Sequence, residues 1–232
     1  MLNKLKQDLE KLANKEKIQN YQRFFKTGPG QYGEGDIFMG LTVPKQRSVA
    51  KSYLNLDLSD IQSLLNSKIH EHRLVALLIL VEQYKQTKNK EIVDFYLANT
   101  KNINNWDLVD STAHKILGDY LIDKNRSILY KLVKSKSLWE RRISIISTFA
   151  FIPNNDFNDS LKLAKILLKD THDLIHKAVG WVLREVGKKD QNLLENFLKK
   201  HYDNLPRTTL RYAIEKFEET KRQSYLKKKL ND

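Results

Sequence analysis

The sequence predicts an all-α fold, an α-α superhelix (solenoid) in which pairs of helices stack side by side. Three observations predict it. The 232 residues hold only 8 Gly and 4 Pro, too few for the many tight turns of a strand-rich sandwich or barrel. Apolar residues recur at helical spacing over most of the chain. The more apolar helix of each successive pair begins near 70, 105, 138, 172 and 206, in steps of 35, 33, 34 and 34 residues. Such a period marks repeats that bury their faces only against their neighbours. Identity between the units is poor, so a helical array with a coincidental period is the competing reading.

The elements follow in order. Residues 3–25 place Leu5, Leu9, Leu12, Ile18, Tyr21 and Phe25 between charged residues, as one amphipathic helix or two short ones would. KTGPGQYGEGD then breaks the pattern with four of the eight glycines; Gly28-Pro29-Gly30 cannot continue a helix, which predicts a loop over 26–36. Val43-Pro44 reads as extended, and Pro44 opens a helix from Lys45 to Tyr53. Short helices are expected near 58–66, 90–98, 125–134, 158–169 and 190–200. Each is followed by a second, at 70–86, 105–122, 138–151, 172–186 and 206–218. The connections are short and polar, which makes neighbours antiparallel. HRLVALLILVEQY and WERRISIISTFAFI are apolar on nearly every side, as helices covered on both flanks are. Nothing reads as a linker. The expectation is one repeat domain over 1–232: N-terminal helices and Gly-rich loop 1–57, paired helices 58–219, basic tail 220–232. The second helices would line a concave surface.

Composition narrows the function. Lys plus Arg is 41 and Asp plus Glu is 28, a net charge of +13, which points to a polyanion. Cys is 0, which excludes disulfides, thiolate zinc or iron–sulfur sites and cysteine nucleophiles. The N-terminus lacks the apolar core of a secretory signal, and the most apolar run, Leu74–Val81, is about half a membrane span. A cytoplasmic protein without membrane partners is expected. The basic tail reads as a solvated end or as weak help in holding nucleic acid.

No nucleotide-binding glycine loop and no H-E-x-x-H is present. GPGQYGEG is either a plain structural loop or a backbone contact to nucleic acid. His172 and His176 share a helical face, but no third ligand is clearly placed with them, and helix-terminal histidines are the ordinary reading. NNWDLVDSTAHKILGDYL is the most informative segment. Asn104 or Asn105 can cap the helix, and Trp106 and Asp110 project from one face with His114 a turn later. An acid beside an indole can stabilise a developing cation; equally, Trp106 can plug the core and Asp110 can pair with an arginine. In LWERRISII, Arg141 and Arg142 point about 100° apart, as a surface ion pair or as a phosphate clamp. In HKAVGWVLREVGKKD, Gly180 leaves room for a close approach, Gly187 reads as a C-cap, and Trp181 is core filler or a wall for a base or sugar.

With these segments in order, the chain resembles the bacterial alkylpurine DNA glycosylases built from HEAT-like (ARM-like) helical repeats, the AlkD type. The resemblance covers about residues 20–218. It rests on FFKTGPGQYGEGDIFMGLTVP, NWDLVD, LWERRISIIST, HKAVGWVLREVGK and PRTTLRYAIEKF, of which the first and fourth are long and specific. It implies hydrolysis of the N-glycosidic bond of positively charged N3- and N7-alkylated purines in double-stranded DNA. The base is not drawn into a protein pocket, and neither metal nor cofactor is required. It carries the family's two tryptophans, aspartate and arginine onto Trp106, Trp181, Asp110 and Arg142, with Arg184 as a backbone-contacting position. Arg141, adjoining Arg142, is the alternative arginine. Phe24 and Phe25 receive no role. Asp110, taken as the only acid of the constellation, is assigned both charge stabilisation and water placement. A monomer acting on DNA is the expectation. The competing classes are a non-catalytic helical-repeat module binding DNA or RNA, and an armadillo-like protein scaffold.

Overall fold

A computed structural model describes residues 1–228. Every regular element among them is helical; one isolated parallel bridge joins Ile37 to Ile69. The fold is all-α, built of helical pairs. The chain divides into two compact units, 1–120 and 121–232, each described by itself.

The first unit holds α1 (Leu2–Lys11), α2 (Lys15–Phe24), α3 (Val43–Lys51), α4 (Leu58–Leu65), α5 (His70–Thr87), α6 (Lys90–Ala98) and α7 (Trp106–Thr112). Residues 3–25 thus form two helices, broken at Ala13 and recapped by Asn14, whose side chain accepts the Glu16 N–H. Pro44 sits in the first turn of α3, where its missing N–H costs nothing. Helix α5 is the centre of this unit. It packs on α3, α4, α6 and α7, and Leu74, Leu77, Ile79 and Leu80 are fully buried. That explains its lack of a polar face: each such side chain stabilises by about 1.5–3 kcal/mol only if partners cover it. Lys88 in the left-handed region ends it.

The helix expected over 105–122 is not uniform. After α7 it widens into a π turn, His114–Gly118, in which the Gly118 N–H reaches back to the Ala113 carbonyl at 2.9 Å.

The second unit holds α8 (Ser127–Leu132), α9 (Leu138–Ser147), α10 (Asn158–Leu167), α11 (Asp173–Lys189), α12 (Gln191–His201), α13 (Arg207–Ala213) and α14 (Glu219–Leu226). Helix α9 tightens into a 3-10 turn at Thr148–Ala150, and a second such turn carries Pro153. The helix expected over 206–218 stops at Ala213. Helix α11 is the hub, packed on α9, α10, α12 and α13. Its glycines serve close approach. A Cβ on Gly180 would lie 2.4 Å from the Tyr212 Cβ of α13, and one on Gly187 would lie 2.3 Å from Leu194 Cδ2 of α12. Gly187 is therefore not the C-cap expected of it, since α11 runs on through Lys188 and Lys189 to an end at Asp190. Helix α14, Glu219–Leu226, takes up most of the start of the basic tail, and residues 229–232 lie outside the described residues.

Candidate active site

A cleft of about 410 Å³ in the first unit is lined by α2, by Phe38 and Leu41 beyond the Gly-rich loop, by Val43, Gln46 and Arg47 of α3, by the start of α5, and by α7 with Lys115 after it. Three segments hold its aromatic, imidazole and carboxylate groups. The first is α2 with the Gly-rich loop. The loop is held by its own side chains: the Gly28 N–H donates to Gln31 Oε1 at 3.0 Å and the Gly30 N–H to Glu34 Oε2 at 2.8 Å. Glu34 thus occupies the spot where an anion would meet Gly30. Beyond the loop, the Ile37 N–H donates to the Lys68 carbonyl and the His70 N–H to the Ile37 carbonyl, at 3.0 and 2.8 Å. These bonds dock the loop exit on the start of α5. The second segment is that start, His70 and Glu71. The third is α7, whose first residue is capped by Asn105: its side chain accepts the Trp106 N–H at 2.8 Å. Of the two asparagines read as caps, Asn105 takes the role.

Trp106 and Asp110 both line this cleft and both are half-buried. The Trp106 ring stacks on Phe25 (5.3 Å, 18°), Phe25 on Phe38 (5.0 Å, 17°), and Phe38 on the His70 imidazole (4.7 Å, 25°). Phe24 meets Trp106 edge-on at 5.6 Å and is 61% exposed. His114 follows one turn after Asp110. Burial pushes its pKa down to about 4, so near neutral pH it is a neutral imidazole.

Asp110 is not the only acid here. Glu71 and Asp107 also line the cleft, but both carboxylates are buried and committed. Glu71 accepts the N–H groups of Met39, Gly40 and Leu41 at 2.8–3.2 Å. Asp107 accepts from His70 Nε2 at 2.8 Å and from the Leu108 N–H at 2.9 Å. His70 Nδ1 meets Asp36 Oδ2 at 3.1 Å, and Arg73 donates to Asp36 Oδ1 at 2.6 Å. Burial drives the His70 pKa down, but the Asp107 charge and the bonds to Asp107 and Asp36 outweigh it and push it up to about 9. For Asp36, burial acts upward, yet the His70 bond and the Arg73 charge hold its pKa below the ordinary carboxylate range.

The other expected site residues belong to the second unit. Trp181, on α11, is half-buried with its ring 4.6 Å from that of Phe149. Arg184 pairs with Glu185 at 3.2 Å and with Glu215. Arg141 binds Asp170 at 2.6 Å and the carbonyls of Ser135 and Lys136. Arg142 is 4% exposed and donates to the Leu174 carbonyl. His172 caps α11, its Nδ1 accepting the Leu174 N–H, and the His176 ring bonds the Asp170 carbonyl at 2.6 Å.

The sequence pattern of DNA alkylation repair enzymes matches residues 5–217, nearly the whole chain. The chain belongs to the DNA alkylation repair enzyme family. Several solved structures share its fold. A predicted DNA alkylation repair enzyme from Enterococcus faecalis is 18% identical with a TM-score of 0.71, covering 88% of this chain and 96% of that one. AlkD2 from Streptococcus mutans is also 18% identical, with a TM-score of 0.58 and coverages of 86% and 98%. No curated protein matches. An AlkD-type alkylation repair protein is thus the frame for the site.

Within that family frame, the residues that sequence reasoning missed are Asp36, His70, Glu71 and Asp107, together with the roles of Phe25 and Phe38. Asp36 ends the GPGQYGEGD run and Asp107 lies beside the quoted Trp106. Their partner His70 stands alone at a helix start, 34 residues from one and 37 from the other. The one available signal was a cluster of chargeable residues, HEHR, opening the most apolar helix of the chain.

Proposed function

We propose that the protein is a DNA glycosylase that hydrolyses the N-glycosidic bond of cationic N3- and N7-alkylated purines in duplex DNA. The observation that carries the reading is the shared placement of the Trp106 ring and the Asp110 carboxyl in one aromatic-walled cleft. An alkylated purine already carries positive charge and leaves as a neutral base, so no acid need protonate it. Charge instead develops at C1′ of the sugar. Asp110 stabilises that charge and orients the attacking water. Glu71 and Asp107 are less suited because both are buried, whereas Asp110 is half-buried and open to the cleft. Trp106 meets the deoxyribose by C–H to π and cation–π attraction, and Trp181 offers DNA the same kind of face on the second unit. Arg142 and Arg184 hold phosphates, and the net charge of +13 supplies the sequence-independent attraction. The protein acts as a monomer and needs no cofactor. Incubation with methylated duplex DNA releases free methylpurine. Binding without release would make the chain a nucleic-acid-binding repeat module instead.

This reading leaves the base outside the protein. A cleft of about 410 Å³ lies in the size range of small-ligand sites, which favours a second reading in which the base enters it. A 2-aminopurine placed beside the lesion distinguishes them: its fluorescence stays quenched on binding if the stack is kept, and rises if the base leaves.

DNA affinity falls steeply with salt. Losing six or more phosphate contacts' worth of counterion release between 50 and 200 mM salt lowers it about 10³-fold. A flat dependence in fluorescence anisotropy contradicts a DNA-binding surface. The family resemblance puts the phosphate contact on Arg142, so Arg142→Ala weakens binding more than Arg141→Ala, although both guanidinium groups already serve carbonyls within the protein. Arg142 is buried, so both variants are compared where melting curves show them folded; the reverse order would move the phosphate contact to Arg141.

A further inference from the structure

We infer that His70, clasped between Asp36 and Asp107, is a positioning residue that sets Trp106 and Asp110 for the reaction. The inference rests on the glycosylase reading and adds residues to it. Both ring nitrogens of His70 face carboxylate oxygens, Asp36 Oδ2 at 3.1 Å and Asp107 Oδ2 at 2.8 Å. A neutral imidazole donates from one nitrogen only, so serving both acceptors requires the doubly protonated ring. The imidazolium is 2% exposed and ties three segments together. Asp36 belongs to the loop exit, His70 opens α5, and Asp107 lies in the first turn of α7, between Trp106 and Asp110 in sequence.

The loop contributes Asp36, α7 contributes Asp107 and Asp110, α5 itself contributes Glu71 and Arg73, α3 contributes Arg47, the π turn contributes Lys115, and α2 contributes Tyr21 at the cleft wall. Phe25 and Phe38 cover the ring with flat, non-titrating faces. Asp36 keeps Arg73 whatever the state of His70, whereas the other Asp107 oxygen accepts from the Leu108 amide and, among the described residues, meets no cation. The neutral ring keeps its proton on Nε2, facing the carboxylate with no other cation among the described residues, so loss of the imidazolium charge is felt most at the Asp107 end. That end fixes the turn from which Trp106 leans on Phe25 and Asp110 enters the cleft.

The test uses the full chain and two variants. His70→Gln keeps one donor and loses the charge. Asp107→Asn is the milder change, keeping an acceptor for Nε2–H. Single-turnover release of 7-methylguanine, corrected for spontaneous loss, is followed from pH 6 to 9.5. The affinity for undamaged duplex is measured alongside. Wild-type release is level near neutrality and falls as pH approaches 9. His70→Gln releases base about tenfold more slowly at pH 7, keeps its duplex affinity, and loses the alkaline fall. Asp107→Asn moves that fall about one unit lower. The Trp106 indole N–H resonance, assigned with Trp106→Phe, titrates with the same midpoint in wild type and not in His70→Gln. A merely structural histidine would lower the melting temperature but leave the pH profile and the indole titration unchanged in the folded variants. An active wild type with the same profile in both variants overturns the inference alone. A wild type that releases no methylpurine overturns the glycosylase reading, and the indole titration then decides the His70 coupling by itself.

Discussion

Asp110→Asn keeps duplex affinity and lowers the single-turnover release of 7-methylguanine about 10²-fold or more. The substitution is nearly isosteric and sits at a half-buried position, so packing of α7 is little disturbed. What changes is charge. A carboxylate facing C1′ gains interaction energy as the glycosidic bond lengthens, because the sugar becomes cationic only near the transition state. A neutral amide gains far less. An interaction made only in the transition state shows in the rate and not in the affinity for undamaged DNA. Asp107→Asn is the internal comparison. It removes a charge one turn away on the same helix from a carboxylate that already serves His70, and costs less at pH 7. Equal release by wild type and Asp110→Asn, or a larger loss in Asp107→Asn, would remove Asp110 from the role assigned to it.

The helical pairs were legible because their signal is local and repetitive. Buried stripes at helical spacing and short polar joints mark α4 to α13 to within a few residues; the π turn after α7, the 3-10 turns after α9, the run of α11 past Gly187 and the early stop of α13 depart from expectation. The π turn has no such signature, since its hydrogen bond reaches one residue farther with an unchanged apolar pattern. At the candidate site, Trp106 and Asp110 could be paired from sequence because four residues on one helix fix their common face. The clasp around His70 could not. It joins residues of a loop, a helix start and another helix that no periodicity relates. Its members are polar residues whose burial becomes affordable only once all are in place. Asp110 is not the sole acid of the cleft: no sequence pattern marks Glu71 or Asp107, and only tertiary contacts bury both there.

The stability gap between wild type and His70→Gln is widest near pH 6 and narrows as pH rises through 9. In the folded protein the His70 pKa is pushed up to about 9, whereas an unfolded chain returns it to about 6.5. A raised folded-state pKa contributes stability that is complete below the unfolded value and is lost as pH climbs through the folded one. The difference corresponds to about 3 kcal/mol for this buried ring. Replacing His70 with glutamine at pH 6 leaves the Asp107 carboxylate without its cationic partner, a change that costs about 3–5 kcal/mol when one member of a buried ion pair is removed. At pH 10 the wild type has itself lost the imidazolium charge, so the two proteins differ mainly in shape and in one hydrogen bond. Urea unfolding at pH 6, 8 and 10 measures the gap directly, and because both proteins carry the same lysines and tyrosines, other alkaline titrations cancel in the comparison. A gap of the same size at pH 6 and pH 10 would mean that His70 is neutral in the folded protein. One of its two carboxylate contacts would then lack a proton to hold it.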